Sequence, residues 1–274
     1  MYQVIASDLD GTLLDADHTV DQFTATTLRE LEARGVPIVL ATGRHYCDVK
    51  GIRDVLGVRA WLVTSNGARV HDPDNRLMHK EDIDPAMARQ LMQPEFAEGT
   101  HLNAYQDEKW LADRHLDWLA DLHQDSGFTF DVVDLKNHSG EGIAKVLYIG
   151  EHEHLLQLEA RLLEQFGDTL YITFSMPDCL EVMAPTVSKG HALQVVLDEL
   201  QLPAADCVAF GDGLNDIFLL KTAGHPFMMG NAAPRLMETL PDVPRIGRNS
   251  EAAVAHKLRE LFELPPLAET VADQ

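Results

Sequence analysis

Val4-Ile5-Ala6-Ser7-Asp8-Leu9-Asp10-Gly11-Thr12-Leu13 is the stretch whose reading decides the fold. A short apolar run ends in two carboxylates two residues apart, followed by a glycine, a hydroxyl and more apolar chain. The pattern predicts a buried strand whose C-terminal tip carries Asp8 and Asp10 into a turn. In open α/β sheets that tip is where ligands bind. Two carboxylates so close repel each other, so either one takes up a proton or both face a cation. The cation reading makes a place for Mg²⁺ and, through it, for phosphate. An Asp-x-Asp before glycine is also an ordinary turn, and the rest of the chain decides between the two.

With 274 residues, 45 % of them hydrophobic, the chain can build one large domain or two ordinary ones around a sizeable core. Its 44 acidic residues against 22 basic ones give a net charge of −22. Such a field repels nucleic acid and anionic membrane, so neither is an expected partner. The expected partner, a small phosphorylated metabolite, would be repelled too unless a metal, a lysine and backbone N–H groups supply local positive charge. No run of 18 apolar residues occurs, and Asp8 stands where a signal peptide would need its apolar segment, so the expected location is cytoplasmic. Cys47, Cys179 and Cys207 are odd in number and in no Cys-x-x-Cys pattern, which predicts reduced, buried thiols. The thirteen histidines show no His-Glu-x-x-His spacing, and most are expected on the surface or in loops. The oligomeric state is left open.

After the first strand, Thr19 and Gln22 suggest a capping box for a helix through Phe23, Leu28 and Leu31, closed by Gly35. Val36 to Ala41 is then a second, continuously apolar strand, as central parallel strands are. Its tip, Thr42-Gly43-Arg44, should lie beside Asp8, where the Thr42 hydroxyl and the Gly43 N–H can donate to a phosphate oxygen. A helix over 46–56 and a third strand over 61–64 follow, then Ser65-Asn66-Gly67-Ala68. Asn-Gly is a strong hairpin-turn signal, and the strands 69–71 and 77–79 fit it.

Near Ile83-Asp84-Pro85 the character changes. From there to about Pro185 the sequence reads as a self-contained α+β unit, with helices over 86–92, 115–124 and 151–166 and six short strands. Trp110, Trp118 and Phe166 in it read as core. A hundred-residue insertion between two halves of a parallel-sheet domain has the form of a lid, which excludes water and selects substrates. The expected boundaries are a first core part over 1–83, the insert over 84–185, a second core part over 186–264 and a disordered tail over 265–274.

The chain re-enters the core at Val187-Ser188-Lys189-Gly190, where Ser188 is a fitting N-cap. Lys189 then stands in the first helical turn, where a cation opposes the helix dipole. A residue placed against local preference points to another use, here the neutralisation of charge beside Asp8 and Asp10. Cys207 to Phe210 reads as a buried strand ending in Gly211-Asp212-Gly213-Leu214-Asn215-Asp216. Asp212 and Asp216 would share a helix face, so that four carboxylates converge on one sheet edge around Mg²⁺.

DLDGTL at 8–13, the Thr42-Gly43 tip, the Lys189 segment and GDGLND at 211–216 resemble, in order, the four motifs of the haloacid dehalogenase (HAD) superfamily of aspartate-nucleophile phosphatases. The insert resembles the type IIB cap of its Cof-type branch. TSNGARVHD at 64–72, CLEVM at 179–183 and VSKGHAL at 187–193 resemble Cof phosphatases associated with pyridoxal 5'-phosphate and sugar phosphates. The resemblance implies an α/β fold, a Rossmann-like parallel-sheet core with an inserted α+β cap, and an Mg²⁺-dependent phosphoric monoester hydrolase. In it Asp8 is the nucleophile that forms an aspartyl-phosphate, and Asp10 is the general acid and base, which also gives the metal a backbone oxygen. Asp8, Asp10 and Asp212, with Asp216 in support, hold Mg²⁺. Thr42, the N–H groups of Leu9 and Gly43, Asn215 and Lys189 hold the phosphoryl oxygens. Arg44, Asn66 and the segment 179–181 are candidate neighbours of the substrate, each with a purely structural alternative. Two rivals share the parts: a phosphomutase, in which a second hydroxyl takes the phosphoryl group, and a receiver-type switch, in which the phosphoprotein persists.

Overall fold

Uninterrupted apolar runs become the central strands. The computed structural model describes residues 2–121 and 127–267. In chain order β1 (Val4–Ser7), β2 (Ile38–Ala41), β3 (Ala60–Thr64), β4 (Arg69–His71) and β5 (Leu77–Lys80) are followed by β6 (His101–Gln106), β7 (Lys109–Ala112), β8 (Phe130–Val132), β9 (Ile143–Ile149), β10 (Tyr171–Met176) and β11 (Cys179–Met183), then β12 (Cys207–Gly211) and β13 (His225–Met228). They form two sheets, one ordered β13-β12-β1-β2-β3-β4-β5 and the other β10-β11-β9-β6-β7-β8.

In the first sheet β13, β12, β1, β2 and β3 run parallel, β4 pairs antiparallel with β3, and β5 pairs antiparallel with β4. Successive residues face opposite sides. Ile5, Ile38, Leu40 and Phe210 pack towards the helices Gln22–Ala33, Tyr46–Leu56 and Ala253–Leu261. Val4, Ala6, Val39 and Ala209 pack towards Lys189–Leu200, Ile217–Thr222 and Pro234–Thr239. Both faces are covered, which is why these strands carry no polar alternation. The result is the Rossmann-like α/β core with an inserted α+β unit that the sequence predicts.

The inserted sheet is two-faced. Leu102, Ala104, Val146, Tyr148, Leu180 and Val182 pack on the helices Pro85–Leu91 and His152–Phe166. The alternate residues Tyr105, Lys145, Leu147, Ile149, Cys179 and Glu181 turn the other way, towards the tips of β1 and β2. The turn between β6 and β7 rests on the core: His45 Nε2 lies 2.8 Å from the Asp107 carbonyl oxygen, and the Cys47 thiol is directed to the Glu108 carbonyl.

Several expectations are corrected. The N-cap of the first helix is Asp21, whose carboxylate accepts from Thr24 N at 2.9 Å. Thr19 instead donates its hydroxyl to Asp15, because a carboxylate at the Ncap position outcompetes a hydroxyl two residues earlier. Trp118 is half exposed (52 %), on a helix described only as Asp117–Asp121; residues 122–124 of the helix expected there lie outside the described residues. Cys47 is half-buried, whereas Cys179 and Cys207 are buried, and all three are free. Of the tail expected to be disordered, residues 268–274 also lie outside the described part. No helix among the described residues is long and apolar enough to cross a membrane.

Candidate active site

Parallel pairing of β1 with β12 on one side and β2 on the other brings three strand tips together. Asp8 follows β1 directly and is buried, with its N–H held by Phe210 O at 3.1 Å. The chain then makes a tight turn over Leu9–Leu13. Gly11 stands there at φ +74°, and a Cβ on it would lie 2.3 Å from Asp212 Oδ2. Both the left-handed backbone and the close approach require glycine. Leu9 has its side chain in the core, so it can serve the site only through its main chain.

Lys189 is fully buried, and its Nζ lies 2.6 Å from Asp8 Oδ1 and 2.6 Å from Asp216 Oδ1. Asp216 is held in turn by the N–H groups of Asp212 (2.9 Å) and Gly213 (2.8 Å), and Thr12 donates to Asp212 Oδ1 at 3.0 Å. Asp212 and Asp216 therefore do not share a helix face; Asp216 reaches back over a 3₁₀ turn, Leu214–Asp216, to the loop that carries Asp212. Burial would depress the lysine, yet Asp216 and Asp8 outweigh it and hold the ammonium above the usual range. Burial pushes Asp8 well up, reinforced by Asp216 and opposed by Lys189. Burial and the Asp216 charge likewise push Asp212 up to about 7.

Asp8, Asp212 and Asp216 each offer an oxygen within 4.8 Å of the other two. Three carboxylates against one ammonium leave an excess of negative charge in a buried place, which a cation would relieve. The all-oxygen donor set suits a hard divalent ion, so the three form a candidate metal centre. The side chain of Asp10, expected as a fourth carboxylate here, points elsewhere. Arg44 grips it with Nε at 2.7 Å and Nη2 at 2.6 Å, and His18 Nδ1 lies 2.9 Å away. Burial opposes ionisation, but these partners hold the Asp10 carboxyl well below the usual carboxylate range. Arg44 is itself fixed by Asp48 at 2.9 Å.

A carboxyl whose pKa is higher folded than unfolded stabilises the fold below about pH 4, and that contribution is lost as the pH rises through the folded pKa. For Asp212 the window runs from its ordinary 3.8 to about 7. A divalent ion binds the ionised form and reverses the loss. The Mg²⁺-induced rise in melting temperature should therefore grow between pH 5 and pH 8, as scanning calorimetry with and without Mg²⁺ would show. A rise independent of pH would contradict the assignment.

Asp8, Asp10, Thr42, Gly43, Arg44, Asp212 and Asn215 line one cavity of about 150 Å³ beneath the inserted sheet. Thr42 is buried with its N–H on Val63 O at 2.8 Å, and its Oγ1 accepts from Arg44 N at 3.1 Å. Asn66, at φ +57°, links the two units: its Oδ1 accepts from Asn215 Nδ2 at 3.0 Å, and its Nδ2 donates to Glu181. Glu181 takes Lys145 Nζ at 2.6 Å, and the same ammonium donates to Gly43 O at 2.7 Å. Tyr105, Trp110, Leu119, Leu147 and Ile149 complete the walls. Lys145, Tyr105, Leu147 and Ile149 belong to no motif legible in the sequence, and Trp110 is expected there only as core. The available signal was one charge inside each of two apolar strands, Ile-Ala-Lys-Val-Leu-Tyr-Ile and Cys-Leu-Glu-Val-Met.

A haloacid dehalogenase-like hydrolase family matches residues 5–258. A Haemophilus influenzae chain is 41 % identical over 266 residues, covering 96 % of this chain and 98 % of the relative. The HMP-PP phosphatase of Cronobacter sakazakii is 38 % identical over 267 residues, covering 97 % and 98 %. The solved structure of a haloacid dehalogenase-like hydrolase from B. subtilis superposes with a TM-score of 0.85 at 27 % identity, over 94 % of this chain and 99 % of that one.

Proposed function

Because the chain belongs to the haloacid dehalogenase-like hydrolases, we propose that it hydrolyses small phosphomonoesters through an aspartyl-phosphate formed on Asp8. The observation that carries the reading is the buried Lys189 bridge between Asp8 and Asp216, behind a cavity wall that Asp8 and Asp212 line. Asp8 attacks phosphorus and forms a covalent acyl phosphate as the bond from phosphorus to the leaving alkoxide breaks; water then cleaves the anhydride, so one displacement is split into two easier ones. Lys189 compensates the charge that accumulates as the phosphoryl group arrives. Thr42, Asn215 and the N–H groups of Leu9 and Gly43 orient the remaining oxygens. Asp10, ionised beside Arg44, is suited to take a proton from water; to protonate the leaving alkoxide it must first leave the Arg44 fork. Asp8, Asp212 and Asp216, with the backbone oxygen of Asp10, would hold Mg²⁺, which supplies Lewis-acid stabilisation of the phosphoryl oxygens.

Residues 84–185 act as the cap that chooses the leaving group. Tyr105, Trp110 and the aliphatic walls favour a flat ring over a polyhydroxylated sugar. That ranks pyridoxal 5'-phosphate ahead of hexose phosphates, and the name of the Cronobacter sakazakii relative puts HMP-PP on the same list. The test is phosphate release with Mg²⁺ over pyridoxal 5'-phosphate, HMP-PP, hexose phosphates and nucleotides. An isomerised phosphosugar without free phosphate would make the protein a mutase, and a long-lived phosphoprotein would make it a switch. Lys145→Met, run beside it, removes the counter-charge of Glu181 and the tie to Gly43. The expected outcome is a loss of about tenfold or more in kcat/KM for the preferred ester, with a changed ranking across the panel. An unchanged ranking would remove Lys145 from substrate selection.

A further inference from the structure

A second group of metal-ligating side chains lies away from the cavity. His79 on β5 and Glu81 two residues later project to the same side, and His191, in the first turn of the helix Lys189–Leu200, faces them. One ligand atom from each lies within 4.8 Å of the other two. We propose that His79, Glu81 and His191 form a transition-metal site, of the kind that takes Zn²⁺, separate from the carboxylate centre.

Three observations carry it. His79 Nε2 is buried without a hydrogen-bond partner and stands 3.6 Å from Glu81 Oε2, beyond hydrogen-bond reach. Ligand atoms on a tetrahedral Zn²⁺ with bonds of about 2.0–2.1 Å are themselves about 3.3–3.4 Å apart, so this pair already has nearly the ligating separation. An unpaired buried imidazole nitrogen is a cost that a bound cation removes. Glu81 is pre-oriented: its other carboxylate oxygen takes the Thr186 hydroxyl, its N–H donates to Ala68 O at 2.9 Å, and its carbonyl accepts from Arg69 at 3.0 Å. A hydrogen bond to the ligating carboxylate is the usual support of a metal ligand. Two imidazoles with one carboxylate suit Zn²⁺ and its neighbours, whereas the all-oxygen set at Asp8 suits Mg²⁺. His191 is exposed, which leaves one side open for a water as fourth ligand.

The place in the chain gives the site a consequence. Glu81 immediately precedes the segment that leaves the core for the inserted unit, and Thr186 lies on the segment that returns. A metal held here ties both crossings to the helix that carries Lys189.

The test uses the full chain, stripped of metal and then held in excess Mg²⁺. Titration with Zn²⁺ is followed by calorimetry, and Co²⁺ as a probe is followed by its visible absorption. The expected result is one equivalent of Zn²⁺ bound despite Mg²⁺, an intense four-coordinate Co²⁺ spectrum, and a Zn²⁺-dependent rise in melting temperature. His79→Gln and His191→Gln should each weaken Zn²⁺ at least about tenfold, and Glu81→Gln gives a third variant, while Mg²⁺-dependent phosphate release stays unchanged. Zn²⁺ retained at native affinity in both histidine variants would place the ion elsewhere and overturn the site, as would no Zn²⁺ binding by the native protein. Neither result touches the phosphatase reading, which rests on other residues.

Discussion

Asp8→Asn is expected to lower phosphate release by on the order of 10⁴-fold or more while leaving the protein folded. The exchange is nearly isosteric, so the packing at the tip of β1 is retained. The amide, however, is no nucleophile for phosphorus and carries no charge to balance Lys189. Two consequences separate a chemical role from a structural one. No ³²P should remain on the variant after acid quench, whereas the native enzyme under rapid quench should carry it on one carboxyl. Stability without Mg²⁺ should rise, because Asp8 is a buried carboxyl crowded by Asp216, Asp212 and Asp10 with one ammonium for relief. Removing a charge whose burial is unfavourable stabilises, which is the stability–activity opposition expected of an active-site residue. A variant that turns over at even a tenth of the native rate would remove Asp8 as the nucleophile.

The residues behind this prediction were legible because chemistry and fold coincide at strand tips. β2 and β12 are unbroken apolar runs and β1 is one up to Ser7, and each strand ends where the polar residue of interest begins, so the sequence alone places Asp8, Thr42 and Asp212 together. What was not legible depended on orientation. The turn of Asp10 away from the other carboxylates is set by Arg44, 34 residues on. Lys145 and Glu181 are 36 residues apart and meet because β9 and β11 are antiparallel neighbours, with Glu181 opposite Leu147, the next residue on the Lys145 face. An isolated charge in an apolar strand announces a partner without naming it. His79 and Glu81 show as a His-x-Glu pair only once β5 is known to end beside the helix that bears His191.

Lys189→Met should be among the most destabilising substitutions in the chain, and Mg²⁺ should rescue much of it. Lys189 is fully buried between Asp8 and Asp216, at 2.6 Å from each. Methionine fills the space of the aliphatic stem but removes the charge, leaving carboxylates buried without their ammonium. Breaking a buried pair in this way costs about 3–5 kcal/mol, on the order of 10 °C in melting temperature for a chain this size. The carboxylates cannot leave, since Asp216 is pinned by the N–H groups of Asp212 and Gly213. They must either take up protons or gather a cation. The variant should therefore bind protons near neutral pH that the native protein releases, and its melting temperature should climb more steeply with Mg²⁺ than the native one, in proportion to RT ln(1 + [Mg²⁺]/Kd). Phosphate release should fall even at saturating Mg²⁺, because the ammonium also meets the incoming phosphoryl charge. Equal Mg²⁺ sensitivity in the two proteins would mean that Lys189 and the metal do not share the same carboxylates, and the electrostatic account of the site would fail at its centre.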